Sequence, residues 1–188
     1  MRLKHGFKHG FTLIELIVAF AGGMLVLVSL LDIFFLSRTA LRKGGNLAEI
    51  TQNGRIAIER LSRELRQAET LVSTLPESEQ DAVSTISFQD GHNASALNYI
   101  RYYLSGGALH RELSYYYLDN APSTHVPFGA LNDDGSVAKQ SVTEDEIIAE
   151  YITSLDFWGG QILNTAISLE EDTVAITTAT AVFVRNLH

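Results

Sequence analysis

Apolar positions along this chain fall into three successive patterns. The first is a nearly unbroken run, FTLIELIVAFAGGMLVLVSLLDIFFL, in which only Thr12, Glu15, Ser29 and Asp32 are strongly polar. Leu16 to Leu31 carries no charge at all, and Phe11–Leu36 would extend roughly 39 Å as a helix rising 1.5 Å per residue. A bilayer core needs about 20 apolar residues, so this run predicts a single membrane-crossing helix with Glu15 and Asp32 near its two edges. The second pattern begins at Asn46. Leu47, Ile50, Gly54, Ile58, Leu61, Leu65, Ala68 and Val72 recur at spacings of three and four, one face of an amphipathic helix. Glu59–Arg63 and Arg60–Glu64 are predicted as i,i+4 ion pairs on its flanks. The two patterns together predict one long helix over about residues 12–71, bent or loosened at Gly22-Gly23 and Gly44-Gly45, since paired glycines weaken a helix.

Beyond Leu71 the helical period stops, and the third pattern alternates. Val83–Phe88 reads as a strand and Asp90-Gly91 as a turn. In SALNYIRYYLSGGALHRELSYY the pair Gly106-Gly107 predicts a two-residue primed hairpin turn. Counting outward, Ser105 faces Ala108, Leu104 faces Leu109, Tyr102 faces Arg111 and Ile100 faces Leu113. Arg101 then meets Glu112 on the other face, an opposite-charge cross-strand pair, and Tyr103 meets His110. Residues 118–145, with Pro122, Pro127, Gly129 and Asp133-Asp134-Gly135, predict a long loop. Ile147–Phe157, Ala166–Leu169 and Thr173–Val184 are three further strands, the last two joined by an acidic turn at Glu170-Glu171-Asp172. The expected fold class is α+β, a long N-terminal helix packed by its distal half on an antiparallel β-sheet.

Charge sharpens this division. The 188 residues carry a net charge of −8, yet residues 1–10 hold Arg2, Lys4 and Lys8 and no acid. From Leu71 onward four bases face sixteen acids, a balance that disfavours nucleic-acid binding through the C-terminal domain because phosphate contacts need Lys and Arg. With no cysteine, disulfides, thiolate metal sites and cysteine nucleophiles are excluded. His92, His110, His125 and His188 show no metal-ligand spacing, and no nucleophile elbow or phosphate loop occurs, so neither an enzyme nor a cofactor is expected. Asn132-Asp133-Asp134-Gly135 has a calcium-loop flavour, but Ala130 stands where the first ligand belongs, and a solvated acidic turn is the expectation.

Glu15 is the one costly residue. An ionised group at mid-helix costs about 2.5–3.5 kcal/mol on insertion, less near a helix N-terminus where the macrodipole favours an anion. No small-residue cleavage site follows Leu36, as an ordinary secretory signal would require. The stretch His9-Gly10-Phe11-Thr12-Leu13-Ile14-Glu15-Leu16, behind a basic leader, resembles the class III signal of type IV prepilins and type II secretion pseudopilins. The resemblance implies a pilin-like fold and cleavage by a prepilin peptidase after Gly10. It also implies N-methylation of Phe11 as the new terminus, and pairing of Glu15 with a neighbouring subunit's terminal amine. The stem NGRIAIERLSRELRQA, the hairpin residues Leu109 and Arg111, EYITSLDF and the closing FVRN are similar to the J-type minor pseudopilins and PilW-type minor pilins. On that resemblance the chain divides into a cleaved leader (1–10), a transmembrane helix (11–36), an amphipathic stem (37–71) and a β-rich domain (72–188). The implied partners are prepilin peptidase, other minor and major pilin or pseudopilin subunits, the inner-membrane assembly platform, and the lipid bilayer through residues 11–36. The implied location is the cytoplasmic (inner) membrane and then the pilus or pseudopilus. Basic residues before and after the apolar run tie, so the C-terminal domain's position outside the cytoplasm rests on the resemblance. A membrane-anchored ligand-binding domain that never enters a filament is the alternative.

Overall fold

A computed structural model of the chain describes residues 12–92 and 97–184. Gly10 and Phe11 lie outside the described residues, as does the FVRN segment beyond Val184. The chain divides into two compact units, Met1–Gly44 and Gly45–His188.

One helix, α1, runs from Leu13 to Gln67 without interruption. Neither glycine pair breaks it, contrary to the expectation that both would loosen it, and nothing lies within 4 Å of where a Cβ would stand on any of these four glycines. The backbone hydrogen bonds of a 55-residue helix outweigh a propensity penalty of about 1 kcal/mol per glycine. Residues of the first unit from Leu13 to Leu36 form a helix long and apolar enough to cross a membrane, with their large side chains uncovered by the rest of the chain. The helix stops at Gln67 rather than near residue 71. Leu71 instead bridges Phe88 in the sheet, which places Val72 outside the helical face.

In the second unit, Ile50, Gly54, Leu61 and Leu65 of the predicted stripe of α1 are buried together with Ala57, whereas Ile58 is only partly buried and Leu47 stays exposed. Gly54 is needed for close approach, because a Cβ there would sit 3.1 Å from Leu169 Cδ1. The predicted Arg60–Glu64 pair forms at 3.5 Å, but Glu59 pairs back to Arg55 at 2.7 Å instead of forward to Arg63.

The strands form two antiparallel sheets. The first holds β1 (Thr85–Gln89), β2 (Tyr99–Ser105), β3 (Ala108–Leu118), β4 (Ala121–Val126) and β5 (Lys139–Ala149). β3 is central: β5 lies along one edge, while β2 and then β4 share the other. The second sheet is β6 (Ile152–Gly159), β7 (Ile162–Glu171) and β8 (Val174–Phe183), in that order. The hairpin register matches the counted one at every pair, with Arg101 opposite Glu112 and Tyr103 opposite His110. Gly106 and Gly107 have φ of +59° and +80°, the positive values a primed turn requires.

Two expectations are corrected here. Residues 118–145 contain strands β4 and most of β5 rather than a continuous loop, the irregular part being the connection from 127 to 138. Both are edge strands held by the β3 ladder rather than by burial, so their side chains are mostly exposed and show no apolar alternation. Ile147–Phe157 is likewise not one strand. The chain leaves the first sheet after Ala149, turns at Tyr151 (φ +64°) and enters the second at Ile152. The core joins α1 to both sheets through Ile50, Leu61, Leu65, Phe88, Tyr102, Phe157, Leu163 and Ile167, all with no exposed surface.

Candidate functional site

Glu15 stands in the first turn of α1. Its Oε2 accepts the backbone N–H of Thr12 at 2.8 Å and the Thr12 hydroxyl at 2.9 Å, while Glu15 N–H reaches Thr12 Oγ1 at 3.3 Å. Thr12 carbonyl also accepts the first helical bond, from Leu16 N–H at 3.2 Å. This is a reciprocal capping box, a Thr and a Glu three residues apart that satisfy each other's unpaired amides. The T-x-x-E spacing was readable in the sequence and is an explanation of Glu15 that does not require another chain. A carboxylate held at a helix N-terminus also sits where the helix dipole favours an anion and where a cation can approach.

A second polar constellation is buried. Glu64 of α1 accepts hydrogen bonds from Arg111 Nε at 3.0 and 2.9 Å and from Tyr102 Oη at 2.8 Å. Arg111 extends to Glu146 at 3.5 Å and Glu144 at 3.8 Å, and Arg60 pairs with both Glu64 and Glu146. Burial works against the Arg111 charge, but the Glu64 hydrogen bond and the charges of Glu64 and Glu146 hold its pKa above the ordinary value. The Tyr102 phenol is pushed well up, first by burial and then by the Glu64 charge and hydrogen bond. The cluster fastens α1 to β2, β3 and β5. The sequence predicts its Arg60–Glu64 edge and the Tyr102–Arg111 register pair, but which helix residue meets that pair depends on docking.

On the opposite face of the first sheet, Asp145 accepts from Tyr103 Oη at 2.8 Å and lies 3.0 Å from His110 Nδ1. The His110 and Tyr103 bonds, in that order of effect, lower the Asp145 pKa. Arg101 lies 4.7 Å above the Tyr103 ring and 3.9 Å from Glu112. No hydroxyl or thiol nucleophile is hydrogen-bonded to the His110 imidazole among the described residues. The Asp133-Asp134-Gly135 segment is tied by its own side chains. Asp134 accepts from Ser136 Oγ at 2.6 Å and Ser136 N–H at 2.9 Å, which holds its carboxyl below the usual range. Asn120 reaches Asp133 at 3.0 Å. Among the described residues no group of three or more His, Asp or Glu is arranged to hold a metal ion.

Compared with known proteins, the chain matches no family model, no curated sequence and no solved structure. The candidate site is therefore defined by its own chemistry: a capped carboxylate at the head of an apolar helix, directly after Gly10-Phe11.

Proposed function

We propose that the chain is a minor pilin or pseudopilin, a structural subunit of a type II secretion pseudopilus or type IV pilus. The observation that carries this reading is the carboxylate of Glu15 in the first helical turn, heading a long apolar helix immediately after a basic leader and Gly10-Phe11. The α+β architecture supports it. In this reading a prepilin peptidase cuts between Gly10 and Phe11, and the apolar helix then packs laterally among other subunits during assembly. Glu15 exchanges its Thr12 bonds for the free amine of a neighbouring subunit. In low dielectric the two charges need each other, and removing one partner of a buried pair costs about 3–5 kcal/mol.

The capping box favours one competing reading, an anchored domain in which Glu15 only starts the helix. Three substitutions separate them. Gly10→Val should block cleavage, because a side chain at the cut leaves no room in a tight peptidase site. Glu15→Leu should be cleaved normally and lost from sheared filaments. Thr12→Ala, which removes the cap but keeps the carboxylate, should retain incorporation. Mass spectrometry of the membrane protein and co-purification with filaments read these outcomes. Retention of residues 1–10 in the wild type would refute the filament reading, and wild-type incorporation of cleaved Glu15→Leu would refute the pairing role given to Glu15.

A further inference from the structure

The two sheets have several free edges, and all but one are blunted. β1 is covered by the segment after α1, with Val72 N–H and Ser73 N–H on Ser87 carbonyl and Gln89 N–H on Thr70 carbonyl. β4 is six residues long and contains Pro122. β5 carries Lys139, Glu144, Asp145 and Glu146 and is irregular in register at two places. β6 is occupied at Phe157 by reciprocal bonds with Val83 at 3.1 and 2.9 Å, at Gly159 by Pro76 carbonyl and at Ile152 by Gly107 carbonyl. These are the usual devices against edge-to-edge pairing: short strands, proline, charge, bulges and covering segments.

Among the described residues β8 has none of them. Its ten residues, VAITTATAVF, include no charge, proline or glycine, and they pair with β7 in ten consecutive register pairs without a bulge. Among the described residues β7 is its only ladder partner. Its outward side chains are small where a neighbour would lie, Ala175, Thr177, Ala179 and Ala181, all exposed, and the strand ends at Phe183, 63% exposed. A straight ten-residue edge exposes alternate N–H and C=O groups with no partner, a template for which the complementary ligand is another extended backbone.

The head of β8 adds a sign. Glu171 ends β7 just before the two-residue turn Asp172-Thr173, so the acidic turn expected at Glu170-Glu171-Asp172 keeps only Asp172 in the turn itself; burial, then the charges of Glu49 and Asp172, raises the Glu171 pKa. Negative charge thus accumulates at one end of an otherwise uncharged edge. A second copy of the chain is disfavoured as the occupant, because sixteen acids against four bases beyond residue 70 make two such domains repel.

We propose that β8 is a docking edge for an extended segment of a different protein, added antiparallel, with uncharged β-branched side chains and a Lys or Arg at its C-terminal end beside Glu171 and Asp172. Antiparallel addition is the pairing used by both sheets and places the segment's C-terminal end at the head of β8. The edge accepts such a strand whether or not the chain enters a filament.

The test uses the full chain in detergent micelles and a fluorescent nonapeptide of four Thr-Val repeats ending in Lys. Binding is followed by anisotropy, and hydrogen–deuterium exchange locates it. The expected results are saturable binding and new protection confined to β8. Affinity should fall at least tenfold for Ala179→Lys, which puts a charge where an uncharged neighbour must pack. The same peptide with alternate amides N-methylated should fail to bind, since its side chains are unchanged but its ladder donors are gone. That arm needs no protein variant and stands even if Ala179→Lys fails to fold. No binding, protection elsewhere, equal binding of the N-methylated peptide, or wild-type self-association abolished by Ala179→Lys would each overturn the proposal.

Discussion

Glu15 and Glu64 are both glutamates of α1, and their surroundings give them opposite tasks. Among the described residues Glu15 is hydrogen-bonded by Thr12 alone, and its side chain lies at the exposed start of the helix. Glu64 is locked among Tyr102, Arg111 and Arg60 with its side chain 8% exposed, so its cluster is a fastening. The clearest consequence concerns Tyr102. Its folded pKa is raised above the unfolded value near 10, so the folded state holds this proton more tightly. The associated stability is complete below about pH 10 and is lost as the pH rises further, by up to about 1.4 kcal/mol per pH unit. Tyr102→Phe should therefore flatten the alkaline limb of a urea-denaturation series between pH 8 and 11. At neutral pH it should cost about 1.5–3 kcal/mol, because Glu64 loses a charge-assisted hydrogen bond. An unchanged alkaline limb in the variant would mean that another group governs it. Of this cluster the Arg60–Glu64 pair was legible in sequence because it is local in the chain, and the Tyr102–Arg111 pair because the hairpin turn fixes its register. Arg111 meets Glu64 across 47 positions, a distance periodicity does not bridge.

At the scale of elements, legibility followed burial. The β2–β3 hairpin could be counted to the residue because its inner face is apolar apart from Arg111, its outer face carries the Arg101–Glu112 pair, and a Gly-Gly turn fixes the register. β4 and β5 were hidden because an edge strand bonded to a central partner needs no buried face. The passage from β5 to β6 was hidden too, since Tyr151 adopts a positive φ that favours Gly or Asn over an aromatic residue. α1 was legible in extent but not in continuity, local propensity having suggested weakness at glycines that the helix simply spans. The hairpin offers a direct measurement. Gly107→Ala forces a Cβ into the left-handed region at φ +80° and should destabilise by about 1–2 kcal/mol. Gly106→Asn, at φ +59°, should be close to neutral, because Asn is the natural alternative at the first turn position. Urea midpoints of the two variants give the comparison. Equal losses at both positions would show that the turn is not held in its primed form.

At the scale of the whole molecule, every fully buried core side chain among the described residues lies between Ile50 and Val184, within the second unit. Leu13–Leu36 contributes none, and its large apolar side chains are 53–76% exposed in the isolated chain. An apolar surface of that extent does not persist in water; it is covered by lipid, by other helices or by aggregation. The C-terminal unit needs none of these, because its own core fills the space between the distal half of α1 and the two sheets. Deleting residues 1–45 should therefore give a fragment that is soluble, acidic and monomeric. The deletion removes no member of the Ile50–Val184 core and keeps the Glu64–Arg111–Tyr102 fastening intact. It does cut α1 near Asn46, whose amide reaches Asp172 at 3.2 Å, so the first turn of the shortened helix should fray without loss of the core. Sedimentation velocity and near-ultraviolet circular dichroism test this together: one species of monomer mass with a fixed aromatic signal from Tyr99, Tyr116 and Phe128 is the expected result. A fragment that aggregates, or that keeps helical signal but loses the aromatic one, would show that the proximal helix contributes to the domain's stability after all.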